Sequence, residues 1–351
     1  MNSKISVLPL IGCFSVILPF FCPVQAGIKT DSESNELVVC SWNVENLFDI
    51  EDDPANEGDD PYTPRGWRRW SDNRYRMKLN HLAEVIAAMK PDILCMQEVE
   101  NRRVLQDLTD VLKKNHRIDY PGIVHRDSMD FRGIDVAIIA TRPAKKAEWI
   151  APSTNVRDTV VATFSYHGGD ITVLANHWKS KLGNSEESQA KRRSQAICVR
   201  QKLNELLAAD TNSAIIVTGD FNDAPDSKPM IADALLLTNR IEVLSRPGGL
   251  ALFNLAASLP ASVKGSYYYG PANKWEMLDS MSVTAGMLAE RATAPWLADE
   301  RSYRVFKYPK HVDRYGNPAP FRRIRNRKVG DIYATGFSDH FPVMLKLKRR
   351  R

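Results

Sequence analysis

The chain has 351 residues, 43% of them hydrophobic, and 48 Lys and Arg against 42 Asp and Glu give a formal net charge of +6. This is enough for one large α/β domain or two small ones. Once an expected leader is set aside, Cys40, Cys95 and Cys198 remain; three is odd and excludes a disulfide framework, although one bridge stays open.

The leader is residues 1–26. Lys4 is a minimal basic start, Ile5 to Phe21 is an apolar run, and Val24-Gln25-Ala26 has the small-x-Ala form of a cleavage site. The expectation is a secreted or periplasmic protein with a single domain over 27–351. Leu10-Ile11-Gly12-Cys13 only faintly resembles a lipoprotein box, because the apolar run continues past Cys13. No later stretch is long and apolar enough to span a bilayer, so no stable membrane insertion is expected after cleavage.

Glu36 to Val44 reads as a first strand, ending in Asn43-Val44-Glu45-Asn46. A long biased loop follows. It is acidic at Glu51-Asp52-Asp53, then Pro-rich, then aromatic and basic through Arg65-Gly66-Trp67-Arg68-Arg69-Trp70. Its length marks it as functional or mobile. Trp67 and Trp70 suit either base stacking or pinning of the loop to the body. The acidic part lacks a glycine-centred calcium loop of recognised spacing. Met77, Leu79, Leu82, Val85, Ile86 and Met89 give a helix from Arg76 to Met89, stopped by Pro91. Asp92 to Asn101 is a second strand, carrying Gln97-Glu98 at its exit. Strand, helix and strand suggest parallel neighbours in an α/β layer. Glu98 close to Asn43 makes an oxygen-rich pocket suited to Mg²⁺ or Mn²⁺.

Val104 to Leu112 reads as helix and Gly133 to Ala140 as strand. Val160 to Tyr166 and Asp170 to Ala175 read as a hairpin around His167-Gly168-Gly169, which ends in Asn176-His177-Trp178-Lys179-Ser180-Lys181. His177 beside two lysines suits donation to a phosphate oxygen. Glu186 to Ala209 is a long helix. It leads into Ala214-Ile215-Ile216-Val217-Thr218-Gly219-Asp220-Phe221-Asn222, the stretch on which the reading turns. Asp220 and Asn222 stand at i and i+2 at the exit of a buried strand, where open α/β sheets place ligands. A carboxylate can align a water there while an amide holds what the water attacks.

Residues 224–265 read as irregular, with a helix at Met230 to Leu237. Tyr267 to Val283 reads as two short strands, with Asp279 an acid inside an apolar run that requires a partner. Asp339-His340 precedes a last strand, Val343 to Leu347, and Asp279 is a natural partner for that imidazole. Charge is uneven: residues 31–60 carry acids and no Lys or Arg, whereas 301–351 are rich in both. A basic face suits a polyanion.

In this order, Trp42-Asn43-Val44, Gln97-Glu98, Asn176-His177, Gly219-Asp220-Phe221-Asn222, Leu278-Asp279 and Ser338-Asp339-His340 resemble the endonuclease/exonuclease/phosphatase superfamily over Leu37 to Leu347. The resemblance implies an α/β fold, a four-layer α-β-β-α sandwich with two central mixed sheets. It implies divalent-metal-dependent phosphate ester hydrolysis, with Mg²⁺ as the ion and Mn²⁺ or Ca²⁺ as alternatives. It makes Glu98 the main metal ligand, helped by Asn43 and Asp339. Asp220 then orients or deprotonates water, Asn222 holds the phosphate, and His340, backed by Asp279, contacts it from the other side. His177 matches a second histidine of some branches, and Glu45 a supporting acid. The leading expectation is a monomeric nuclease acting on DNA or RNA. The alternatives are a phosphodiesterase or phosphatase on lipid headgroups or small phosphates, and an inactive polyanion-binding relative.

Overall fold

Side chains on opposite faces of one strand enter different cores, and this alternation builds the molecule. In β1 (Glu36–Leu47), Leu37 and Val39 face one apolar cluster, while Cys40, Trp42 and Val44 face another. Both faces are dry, so the strand reads as a near-continuous apolar run. A computed structural model describes residues 35–54, 56–152, 156–181, 186–291, 293–324 and 330–350. The expected leader lies outside them. No described helix is long and apolar enough to cross a membrane.

Two mixed sheets carry the fold. The first contains β1, β2 (Ile93–Val99), β3 (Gly122–Val124), β4 (Asp135–Ala140), β14 (Trp296–Val305) and β17 (Val343–Arg349), in the order β14-β17-β1-β2-β4-β3. The second contains β5 (Lys146–Ile150), β6 (Thr159–Tyr166), β7 (Gly169–His177), β8 (Ile215–Asp220), β9 (Leu236–Leu237), β10 (Leu252–Asn254) and β13 (Asp279–Thr284), in the order β5-β6-β7-β8-β13-β10-β9. Two small hairpins, β11 (Tyr267–Tyr269) with β12 (Lys274–Glu276) and β15 (Phe321–Ile324) with β16 (Ile332–Thr335), stand apart.

Three apolar clusters match the three interfaces of a four-layer sandwich. One joins the inner faces of the two sheets, including Val39, Ile138, Val173, Ile216 and Val283. A second packs α1 (Asp72–Met89) and α2 (Arg102–Val111) on the first sheet. The third packs α3 (Glu186–Ala209) on the second sheet, through Val199, Leu203, Ile215 and Val217. Each sheet therefore holds one strand–helix–strand unit with parallel strands: β1-α1-β2 and β7-α3-β8. This is the expected architecture.

Local differences have local causes. Helix α1 starts at Asp72, ahead of the expected Arg76, because the Ser71 hydroxyl accepts from the Arg74 amide as an N-cap. It ends at Lys90, whose φ of 50° is left-handed, just before Pro91. The helix expected at Met230 to Leu237 is not there. Pro229–Asp233 makes a single wide turn, Leu235 turns left-handed (φ 56°), and Leu236 and Leu237 become β9, paired in parallel with Leu252 and Phe253. Sheet pairing of two buried leucines overrides their helix propensity. The segment read as irregular also holds α4 (Arg240–Ser245), capped by Asn239, and β10. Tyr267 to Val283 contains three strands, since Met277 and Leu278 separate the β11/β12 hairpin from β13.

Candidate active site

The carboxyl ends of β1, β2, β7 and β8 open on one cavity of about 880 Å³, lined by Asn43, Glu45, Glu98, His177, Asp220, Asn222, Asp339 and His340. Seven of the eight expected site residues line it. The eighth, Asp279, lies fully buried directly behind His340.

On the second sheet, strand register alone gathers the chemistry. His177 is directly opposite Asp220 in the β7/β8 pair, and Asp279 is directly opposite Asp220 in the β8/β13 pair. Three titratable groups thus form one row across three neighbouring strands. Gly219 makes the row fit. Its φ is 143°, and a Cβ there would sit 2.0 Å from the Asn176 carbonyl oxygen. Asn176 itself is a tie between strands: its amide donates to the Leu174 and Thr218 carbonyls, and its oxygen accepts from Thr159 and Trp178.

His340 enters this row from the other sheet. Its Nδ1 is 2.7 Å from Asp279 Oδ2, and its Nε2 is 3.9 Å from Asp220 Oδ2. The Trp42 indole donates to the His340 carbonyl (2.9 Å), and the Ser338 hydroxyl donates to the Asn43 carbonyl (2.6 Å) while accepting from the His340 amide. The Tyr267 ring lies tilted over the imidazole at 4.7 Å. Burial works against an imidazolium here, but Asp279 and Asp220 outweigh it and hold the His340 pKa well above its ordinary value. Burial pushes Asp220 up to about 7, opposed by His340 and by the Asn43 amide, which donates to Oδ2 at 3.0 Å. Burial, then Arg157 and Arg132, keep His177 neutral. Its Nε2 is 3.6 Å from Asp220 Oδ2. Asn222 donates its backbone N–H to Asp220 Oδ1 (2.8 Å) and its side-chain amide to the Trp178 carbonyl (3.0 Å).

The first sheet builds its wall differently. Glu45, Asn46 and Glu98 have φ of 55°, 56° and 65°, and the β1/β2 register shifts beside them. Asn222 opposite has φ 49°. Left-handed backbone at non-glycine residues costs about 1–2 kcal/mol each, and such bulges re-aim side chains beside active sites. Glu98 accepts from the Asn46 amide (3.0 Å) and lies 3.9 Å from Arg132. Arg322 pairs with both Glu45 and Asp339. Burial raises the Asp339 pKa, but Arg322 and His340 outweigh it and hold it below the usual range. Burial, then Asp339, push Glu45 up. Beneath them Lys78 is fully buried, donates to the Phe337 carbonyl (2.6 Å), and is pushed down to about 8 by burial.

A divalent ion fits this wall by donor chemistry. The Asn43 amide nitrogen faces the Asp220 carboxylate, which fixes its oxygen on the other side, where it also accepts from the Glu45 amide. That oxygen, Glu98 and Asp339 make an all-oxygen set of the kind hard divalent ions prefer. Each of the three already accepts one hydrogen bond, Asn43 from the Glu45 amide, Glu98 from the Asn46 amide and Asp339 from Arg322, and keeps a further lone pair for an ion.

Sequence reading missed Arg132, Arg322 and Lys78. Only Lys78 carried a local signal: it sits on the apolar face of α1, between Tyr75 and Leu82. The basic run at 301–351 does not form the cavity's charge. Among the described residues Arg322 is its only Lys or Arg that lines the cavity, whereas Lys310, Lys346 and Lys348 pair with Glu84, Glu36 and Asp299. The other cations there are Arg68, Arg132, Lys179, Lys181 and Lys274. The two tryptophans divide. Trp70 is buried and donates to the Phe48 carbonyl, so it pins the loop, while Trp67 is exposed with the Arg68 guanidinium over its ring. Cys40, Cys95 and Cys198, the cysteines among the described residues, are free.

The model of the Endonuclease/Exonuclease/phosphatase family matches residues 38–349. No curated protein sequence matches the chain. Among solved structures, a humanized D. rerio TDP2 is 17% identical with a TM-score of 0.54, covering 90% of this chain and 99% of that one. The mannosyl-6-phosphatase of Bacteroides thetaiotaomicron is 17% identical with a TM-score of 0.53, covering 89% and 99%. D. rerio TDP2 complexed with a single-strand DNA product is 16% identical with a TM-score of 0.52, covering 90% and 99%. At these identities the likeness is one of fold. The chain belongs to the endonuclease/exonuclease/phosphatase family, whose members are metal-dependent phosphoester hydrolases.

Proposed function

We propose that the chain is an exported phosphodiesterase that cuts a nucleic-acid strand with Mg²⁺ as its ion. The observation that carries this reading is the pairing of two unlike walls across one cavity. Glu98 and Asn43 offer oxygens on one side, and Asp220, His177 and the Asp279–His340 pair offer a base and donors on the other. Cations continue past this centre: Arg68 and Arg132 also line a neighbouring cavity, with Lys179 over the Phe131 ring beside Arg132, and Lys181 and Lys274 also line a cavity against α3. A strand carries flanking phosphates for both sets, for which Lys181 and Lys274 would exchange Asp223 and Glu276.

Glu98 and Asn43 would hold the ion, with Asp339 at their side, and the bound ion would supply charge neutralisation at the phosphoryl oxygens. Asp220, fixed by Asn43 and by the Asn222 amide, accepts the proton of the attacking water. His340 stays cationic because Asp279 holds its Nδ1, and so Nε2 donates to a phosphoryl oxygen as negative charge grows there. Neutral His177 donates to the same group from the β7 end. Tyr267 closes one side of the imidazole and limits water access to it.

A second reading has its own observation. A neighbouring cavity of about 860 Å³ shares Asn46, Arg68 and Arg132 with the first, and its lining includes Asp53, Glu57, Glu100, Asp127 and Asp130. Such acids repel a polyanion and suit a hydroxyl-rich leaving group, as in a small organic phosphate. Residues 27–351 incubated in Mg²⁺ with single-stranded DNA, plasmid, a nitrophenyl phosphodiester and a nitrophenyl phosphomonoester separate the two. Strand cleavage lost in EDTA supports the nuclease. Intact nucleic acid with monoester turnover moves the assignment to small phosphates. Export is tested by N-terminal sequencing of protein released by cells, which should begin at Gly27.

A further inference from the structure

A second metal site, apart from the catalytic cavity, is built at the base of the loop between β3 and β4. We propose that His125, Asp135 and Asp127 bind a divalent transition ion such as Zn²⁺. The inference does not depend on the proposed substrate.

The imidazole of His125 is 2% exposed, and its Nε2 lies 3.3 Å from Asp135 Oδ2 and 3.9 Å from Asp127 Oδ1. Despite that proximity, Nε2 is buried with no hydrogen-bond partner. An oxygen on the ring nitrogen's own axis at 3.3 Å would be a hydrogen-bond acceptor, so Asp135 Oδ2 sits beside that axis. This is where a co-ligand of a shared ion stands. Metal–nitrogen and metal–oxygen bonds of about 2.0–2.2 Å at tetrahedral angles put neighbouring donors about 3.3–3.5 Å apart. His340 makes the contrast: its Nδ1 approaches Asp279 to 2.7 Å as a true hydrogen bond and leaves no room for an ion between them.

The donor set is equally telling. Asp135 spends Oδ1 on the Ser128 amide (2.9 Å), which aims Oδ2 at the imidazole. All three ligand atoms lie within 4.8 Å of one another. Asp127 is exposed, with 82% of its side chain accessible, and is free to close the last few tenths of an ångström. One imidazole with two carboxylates suits Zn²⁺ or a similar ion better than Mg²⁺, which dehydrates reluctantly and favours all-oxygen sites.

Position gives the ion a consequence. His125 and Asp135 clasp the two ends of one loop, and Arg132 leaves that loop to donate to Asn46 Oδ1 (2.9 Å) and approach Glu98. Binding at the clasp would hold Arg132 against the catalytic wall. Arg132 is then a positioning residue governed from a separate site.

The test is zinc titration calorimetry on the folded full domain, with wild type, Asp127→Ala, His125→Gln and Glu98→Gln compared. The expected result is a zinc site that His125→Gln weakens at least ~10-fold and Glu98→Gln leaves unchanged. Asp127→Ala, a change on the surface, should weaken the same site without altering the far-UV circular dichroism. Retention of wild-type zinc affinity and stoichiometry by folded Asp127→Ala and His125→Gln overturns the proposal, as does an absence of zinc binding that survives Glu98→Gln. Failure of the catalytic reading would instead appear as a Glu98→Gln protein with normal turnover, with the zinc result unaffected.

Discussion

The two walls of the catalytic cavity are made of similar residues by opposite means. On the second sheet, His177, Asp220 and Asp279 are cross-strand neighbours in one row, all at most 3% exposed, and their charges are settled among themselves and His340. On the first sheet, Glu45, Asn46 and Glu98 stand on left-handed backbone where the register slips, and their counter-charges, Arg132 and Arg322, arrive from a loop and a separate hairpin. In the function proposed above, the row handles protons and the bulged wall holds the ion. Strand register would then give positional accuracy to the residues that move protons, and bulges would give reach to the residues that hold an ion.

Substitutions within the row should be the most damaging. Asp220→Ala removes the base and the partner of Asn43, His177 and His340 at once, and a ~1000-fold loss of turnover at unchanged metal requirement is expected. Steady-state kinetics on a nitrophenyl phosphodiester measures it, and a loss below tenfold would show that the row is structural. Gly219→Ala attacks the row's register rather than its chemistry. With φ 143° and the Asn176 oxygen 2.0 Å from the new Cβ, the strands must separate, and about 3 kcal/mol or more of stability should go, read from urea unfolding. An unchanged midpoint would mean the β7/β8 pairing tolerates slippage. Asp279→Asn keeps the shape and removes the charge that holds His340 protonated. Turnover should fall about 10- to 100-fold, with the imidazole proton resonance titrating at lower pH than in wild type.

The smallest effect lies just outside the row. His311 supports the Ser338 carbonyl (2.7 Å) and packs among Trp42, Phe337 and Phe341; burial pushes its pKa down to about 4. The unfolded chain takes up that proton near its ordinary value and the folded chain resists it. Stability is thus lost as pH falls from about 6.5 to 4, by up to about 3 kcal/mol. His311→Phe should flatten that acid slope in thermal melts at pH 4 to 7. A slope equal to wild type would assign the acid sensitivity elsewhere.

Much of this was legible in the sequence because the relevant periodicities are local. The apolar runs ending in Asn43, Glu98, His177 and Asp220 announced four strand exits, the first two as parallel neighbours, and α3 was readable as Glu186 to Ala209. The buried acid Asp279 announced its need of a partner, and His340 supplies it across 61 positions of sequence. What stayed hidden depends on distant register. The direct alignment of Asp279, Asp220 and His177 follows from which strands neighbour which, and no local pattern encodes that. Arg322 looked like one more charge in a basic tail until the hairpin turned it onto Glu45 and Asp339. Leu236 and Leu237 looked helical because their strand partner, β10, is itself three residues long.

The contrast between the walls is tested most directly by turnover against Mg²⁺ concentration for wild type, Glu98→Gln and Asp220→Ala. Glu98→Gln should be at least ~100-fold slower at low metal and recover as metal rises, because its lesion is in holding the ion. Asp220→Ala should keep the same ~1000-fold deficit relative to wild type at every concentration. Recovery of Asp220→Ala by metal, or a Glu98→Gln enzyme that needs no more metal than wild type, would contradict the division of labour.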